Sequence, residues 1–283
     1  MRPGFALGYF TDNLILQPER RLEILPGESL TEENLKLIKA AGILDLEVGA
    51  FFDWKRPKND LQALANMVRD MGMNVHSFHQ SGFKTLLNTP DDPGYKASLD
   101  ECIAQAEALA VFEPEIMVIH VATPTVPSDE IARDVLQRSG QSLDEFGQMC
   151  QQFGVKPAVE NSPIANSISY NLRLIPYTTP DYVGLTIDAG HVHCTGHDAV
   201  TSIKQAGSRL IHLHIADNHG PEEGDVHLIP HEGTVDWAGV YNALIEIDYP
   251  GVFMYELVHR PGPEQVLQQV MASFNRMKAD ATT

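Results

Sequence analysis

Read along the chain, imidazole and carboxylate side chains recur where apolar runs end. His79 closes NVHSFH, His120 falls in IMVIHV, Glu160 sits in AVEN, and Asp188 opens IDAGH two residues in, with His191 three further on. His214 lies in LIHLHIAD and Glu256 in YEL, and a D-x-H motif (Asp225, His227) follows in a Gly/Pro/Asn/Asp loop. These side chains are the donors that a divalent metal of intermediate hardness takes. A carboxylate that ends an apolar run is not on an ordinary solvated face, and its desolvation has to be offset by a partner or an ion. One such residue is as readily a hydrogen-bonded structural group; a set of them at successive strand ends points to a shared metal site. The stretch from Leu210 to Trp237 is the densest, bringing His214, His227 and His231 together with Asp217 and Asp225.

These residues need a scaffold that gathers strand ends. Short apolar strands are predicted at Phe5–Phe10, Ile43–Phe51, Asn74–His79, Glu115–Val121, Val155–Glu160, Tyr182–Asp188, Leu210–Ala216 and Gly251–Leu257. In Leu210–Ala216, Ile211, Leu213 and Ile215 alternate with His212, His214 and Ala216 at period two. Amphipathic helices alternate with the strands: Thr31–Ala41, Leu61–Met71, one near Ala97–Ala110, Asp129–Phe153 with an interruption near Gly140, Asp198–Ala206, Asp236–Ile247 and Pro263–Met277. Ser167–Ile175 leaves room only for a short helix. Eight βα units in this length predict an α/β fold, a single (β/α)8 TIM barrel that takes residues 1–283 as one domain, with its active site where the strands end. An open doubly wound sheet is the competing fold, but no GxGxxG opens a helix.

Composition narrows the partners. The formal charge is −18, which disfavours the many phosphate contacts of a nucleic-acid binder. Loop Ala122–Glu130 has no basic residue and Ser81–Tyr95 has only Lys84. With 43% apolar residues and no bilayer-length run, a soluble protein with no membrane partner is expected. MRPGFALGYF shows no leader pattern, and Cys102, Cys150 and Cys194 have no pairing or CxxC spacing, which fits a cytoplasmic, reducing location.

As a set, VEN, IDAGH, HLHIAD, DVHLIPHEGTVDW and YEL resemble the xylose-isomerase-like TIM-barrel superfamily. That group joins sugar and sugar-phosphate isomerases and epimerases with endonuclease IV-type DNA repair enzymes. The resemblance implies that Glu160, Asp188, His214 and Glu256 hold one divalent metal, as in ketose epimerases. In the endonuclease branch nine ligands hold three zinc ions, and the additional positions match His79, His120, His191, Asp225 and His227. The family turn usually reads Gly-x-Gly; here it is His231-Glu232-Gly233, so a side chain stands where bare backbone is usual and narrows the pocket or adds a ligand.

The expected function is a metal-dependent isomerase or epimerase of a sugar or sugar phosphate, with Mn, Zn, Mg or Co as the metal and one ion rather than three. A metal-stabilised enediolate would form as Glu160 and Glu256 remove and return a proton. His191 would hold a substrate hydroxyl, and His79, His120, Asp225 and His227 would line the sugar pocket or form further metal sites. Trp54 could stack on a sugar, and Lys55, Arg56 and Arg260 could take an anionic group, although solvated loop charges explain these cations as well. His212 is expected to be a satisfied core histidine, and His193, His197 and His219 to be exposed. An inosose-dehydratase-like lyase and a trinuclear-zinc phosphodiesterase are the alternatives, and a binding barrel without turnover is a third. A homo-oligomer is compatible with all of these.

Overall fold

The computed structural model describes residues 1–6, 30–49, 52–80, 85–86, 93–257 and 263–281. Its strands are β1 (Arg2–Ala6), β2 (Asp45–Val48), β3 (Asn74–His79), β4 (Thr85–Leu86), β5 (Ile116–Val121), β6 (Lys156–Glu160), β7 (Gly184–Asp188), β8 (Leu210–Ile215) and β9 (Val252–Tyr255). All pairings among them are parallel, in the order β3-β2-β1-β9-β8-β7-β6-β5-β4, and β3 also pairs with β5. That last pairing closes the sheet into an eight-stranded barrel, with β4 as a two-residue addition beside β5. The helices are α1 (Glu32–Ala40), α2 (Lys58–Asp70), α3 (Tyr95–Leu109), α4 (Arg133–Gln151), α5 (Ser167–Leu174), α6 (Ala189–Cys194), α7 (Ala199–Ala206), α8 (Trp237–Glu246) and α9 (Pro263–Asp280). The chain is a (β/α)8 TIM barrel. The expected first strand began later, at Phe5, and residues 7–10 of it lie outside the described residues. Among the described residues no helix is long and apolar enough to cross a membrane.

Two β-bulges decide which side chains enter the barrel. A strand alternates its faces with period two, so an extra residue flips the parity of everything after it. Between β2 and β3, Leu46 pairs with Val75 but Glu47 pairs with Ser77, which leaves His76 as the extra residue. Val75 and Phe78 therefore both pack in the main apolar core, while Ser77 and His79 turn toward the lumen. On β8, Leu185 pairs with Leu210 and Thr186 with His212, so Ile211 is extra. Ile211 packs against Ile116, Val118 and Ala158 instead of alternating with its histidine neighbours. Leu210, Leu213 and Ile215 lie in the main core, and His212 and His214 face inward. The alternation expected for this strand holds from His212 onward and is corrected at Ile211 alone.

Helix α4 runs unbroken through Gly140, where an interruption was expected. The glycine answers a packing need. A Cβ built there would stand 2.3 Å from the Tyr177 carbonyl oxygen, and one on Gly147 would stand 2.5 Å from that of Tyr182. Both glycines let α4 press against the chain that leads into β7. Gly140→Ala is expected to destabilise the fold by about 1–3 kcal/mol through overpacking. Urea unfolding measures this, and an unchanged midpoint would show that the segment around Tyr177 yields freely.

Candidate metal centre

The strand ends bring together the residues singled out above. His79 ends β3, Glu160 ends β6, Asp188 ends β7, His120 and His214 are penultimate on β5 and β8, and Glu256 follows β9. Ligand atoms of Glu160, Asp188, His214 and Glu256 all lie within 4.8 Å of one another, and the four residues are buried. His214 Nδ1 is 2.8 Å from Glu160 Oε1 and 3.1 Å from Glu256 Oε2. Among the described residues, Asp188 Oδ2 is buried without a hydrogen-bond partner, and Glu256 Oε2 shares one nitrogen of His214 with Glu160. Under-satisfied anionic oxygens are costly to bury, and they converge here beside an imidazole nitrogen. This donor set suits a divalent ion.

Two further groups flank the first. His79 Nε2 and His120 Nε2 lie 3.0 and 3.2 Å from Glu160 Oε2. His191 Nε2 and His227 Nε2 lie 3.3 and 3.1 Å from the Asp225 carboxylate, whose side chain is 27% exposed at the rim. The opposite ring nitrogens are already engaged. Nδ1 of His79, His191 and His227 donates to the carbonyls of Gln80, Asn161 and Glu256 at 3.1, 2.8 and 2.7 Å, and His120 Nδ1 pairs with Ser162 Oγ at 2.9 Å. A carbonyl only accepts, so in a neutral ring the lone pair of these three falls on Nε2, facing a carboxylate oxygen. Two acceptors at that distance need a proton or a metal ion between them.

The electrostatics express the same need. Burial works against a charged His79 ring, yet its hydrogen bond to Glu160 and the surrounding carboxylates carry its pKa up to about 9. Burial is overcome in the same way at His227, where Asp225 takes the pKa to about 9. Glu160 is held well below the usual carboxylate range: burial opposes its charge, but His214, His120 and His79 outweigh it. Burial pushes Asp188 up to about 6. His120, whose ring burial lowers its pKa to about 4, stays neutral.

Two of the candidate ligands, Asp188 and His214, are anchored from behind. Asp188 caps α6, its Oδ1 accepting His191 N–H at 2.7 Å, which leaves Oδ2 for the centre. The Asn161 side chain bridges both backbone groups of Asp188, accepting from its N–H at 3.0 Å and donating to its carbonyl at 3.1 Å. Sequence reasoning passed over Asn161 as an anchor, although it follows Glu160 in VEN. It also passed over Glu47, whose carboxylate lies under His214 with Oε2 3.2 Å from Nε2. Its signal was a second acid at alternate spacing in DLEV, Asp45 and Glu47, on the inward face of β2.

Two residues of the dense stretch belong elsewhere. Asp217 is a clamp: its carboxylate accepts the N–H groups of Asn218, His231, Gly233 and Val235 and the indole N–H of Trp237, at 2.8–3.1 Å. The clamp and a backbone bridge to Leu228 fix the loop that carries Asp225 and His227. His231 joins none of the candidate ion groups among the described residues. With φ of 78°, its ring lies by Ser273, Arg276 and Asp280 of α9. His212 is buried and bonded to Glu47 as a core residue, His193 and His197 are half-buried, and His219 is exposed.

The residues expected to contact substrate pair within their own loop and with α3. Lys55 stacks over Trp54 with its Nζ 4.9 Å from the ring centroid and lies 3.9 Å from Glu101, and Arg56 lies over Phe52 and 3.9 Å from Asp53. Arg260 is outside the described residues.

The profile of the xylose isomerase-like TIM barrel family matches residues 35–277. The inosose dehydratase of Bacillus velezensis is 25% identical over 273 residues, covering 88% of each chain. The chain spans about half the length of the first curated relatives it matches. A solved D-tagatose 3-epimerase-like protein superposes with a TM-score of 0.75 at 17% identity over 100% of both chains. The IOLI protein, whose structure carries a zinc atom, does so with 0.73 at 20% identity, over 99% of this chain and 98% of that one. At these identities the structural likeness is one of fold.

Removing acceptors from the Asp217 clamp strands buried N–H groups. Asp217→Asn is expected to cost at least about 3 kcal/mol of stability. Chemical denaturation measures it, and a loss under about 1 kcal/mol would show that the loop is held by other contacts.

Proposed function

The chain belongs to the xylose isomerase-like TIM-barrel family, and we propose that it is a divalent-metal-dependent isomerase or epimerase of a sugar or sugar phosphate. One observation carries the reading: two buried carboxylates, Glu160 and Glu256, meet at the same nitrogen of His214, with the orphaned Asp188 Oδ2 in the same group. Glu160, Asp188, His214 and Glu256 would hold the ion. When bound, a divalent ion supplies Lewis-acid stabilisation of negative charge on neighbouring substrate oxygens.

The protein's own part is proton transfer and positioning. Both glutamates are kept ionised by imidazoles, since burial is outweighed by His214 at each. An ionised carboxylate can take a proton from a carbon beside a carbonyl, and a second one can return it. Glu160 comes from β6 and Glu256 from the end of β9, with β7 and β8 between them, so they approach the mouth from different sides. His120, neutral in this setting, offers the mixed donor and acceptor capacity that a polyol needs. The epimerase and inosose dehydratase similarities support a carbohydrate substrate.

The flanking groups favour a second reading, a three-metal hydrolase of phosphodiesters. His79, His120 and Glu160 form one possible ion site, and His191, Asp225 and His227 another. The net charge of −18 weighs against a DNA substrate.

Metal-loaded protein incubated in D2O with ketoses, ketose phosphates and cyclic ketone polyols is expected to place deuterium beside a carbonyl and to yield an isomer. Loss of water without an isomer would assign a lyase instead. Incision of abasic-site duplex DNA, with about three zinc ions per chain and no exchange in any sugar, would overturn the isomerase reading. Glu160→Gln and Glu256→Gln are each expected to lower turnover by about 10²-fold or more while the circular dichroism spectrum stays as in the parent. Near-parent turnover in either variant refutes the proton-transfer assignment.

A further inference from the structure

Glu47 is fully buried in the barrel beneath the proposed metal centre, on the side of His214 opposite Glu160 and Glu256. Its Oε2 is 3.2 Å from His214 Nε2, 3.1 Å from His212 Nε2, and accepts the Ser77 hydroxyl at 2.8 Å. Among the described residues its Oε1 has no hydrogen-bond partner. A buried carboxylate with one oxygen unmet is expensive, and packing does not call for it. Elsewhere the lumen is filled by Ala6, Val252 and Met254 and by Ile116, Val118 and Ala158.

We propose that Glu47 is a positioning residue for the metal centre, holding the His214 ring so that Nδ1 and not Nε2 faces Glu160, Asp188 and Glu256. The inference rests on the reading of His214 as a ligand. An imidazole free to turn about its Cβ–Cγ bond presents Nδ1 to one side for only part of the time. A carboxylate that takes the Nε2–H removes that freedom and leaves the lone pair on Nδ1, which is how outer partners tune metal-bound histidines. Glu47 can do this because it is itself fixed. Ser77 stands opposite it in the strand register, a pairing that the His76 bulge creates, and His212 grips the same oxygen from the next position along β8. Glu47, His212 and His214 also lie close enough together to suggest an ion site of their own. With the Ser77 O–H directed at the shared oxygen, Glu47 is a hydrogen-bond hub instead.

The test is zinc affinity of the metal-free protein, measured by competition with a chromophoric chelator, alongside thermal unfolding of the same metal-free samples. Glu47→Leu, which cannot accept a hydrogen bond, is expected to weaken zinc binding 10–100-fold. Glu47→Gln, whose carbonyl can still accept the Nε2–H, is expected to recover most of that loss. Parent-like affinity in Glu47→Leu overturns the proposal. So does an equal loss in both variants that tracks their unfolding temperatures, because that is the behaviour of a packing residue. Should Glu47→Leu fail to fold, imidazole 15N shifts of the zinc-loaded parent decide: a protonated Nε2 on His214 supports the proposal and a metal-bound Nε2 overturns it. His214→Ala separates the two levels of the argument, since unchanged zinc binding in that variant removes His214 from the ligand set and defeats the parent reading.

Discussion

The mouth of this barrel is organised by buried negative charge. Glu47, Glu160, Asp188 and Glu256 are all less than 5% exposed, and each desolvated carboxylate costs several kcal/mol unless it is met by a partner. His79, His120, His191, His212 and His214 provide that partnership in pairs and bridges around them, and His227 meets Asp225 at the rim. The histidines cannot discharge it alone while neutral, because so many of their facing nitrogens would be lone pairs. Either protons or metal ions complete the set, and the proposed function rests on the second.

The surrounding structure is arranged so that the candidate ligands do double duty. Asp188 caps α6 with one oxygen and reserves the other, and Asn161 holds the backbone of Asp188 while its own carbonyl orients His191. Glu256 offers its side chain to the centre and its carbonyl to His227. The same economy makes the site sensitive to loop structure. The Asp217 clamp gathers donors from His231 to Trp237, and so the D-x-H segment depends on an aspartate that itself touches no ligand group.

What could be read from the residues and what could not divide along physical lines. His79, His120, Glu160, Asp188, His214 and Glu256 were legible as strand-end residues because each closes an apolar run, although the register shifts that turn His79 and His214 inward were not. Glu47 was not, since the strand expected at Ile43–Phe51 left it in the middle, one more acid in DLEV until its neighbours across the lumen are known. Asp217 and Asp225 are chemically alike in sequence; only the fold shows that one meets backbone N–H groups and the other meets imidazoles. The bulges at His76 and Ile211 left no trace in composition, because both residues are acceptable strand formers. Gly140 looked like a helix break because a glycine's propensity is visible in sequence and the Tyr177 carbonyl it accommodates is not.

The central claim is that Glu160, Asp188, His214 and Glu256 jointly hold a divalent ion. Anomalous diffraction from crystals of the metal-loaded protein, collected on either side of the zinc or manganese absorption edge, tests it most directly. A peak enclosed by the four side chains and lying on the Nδ1 side of His214 is expected. Peaks confined to the flanking histidine groups, or none in the barrel mouth at full metal loading, would contradict it.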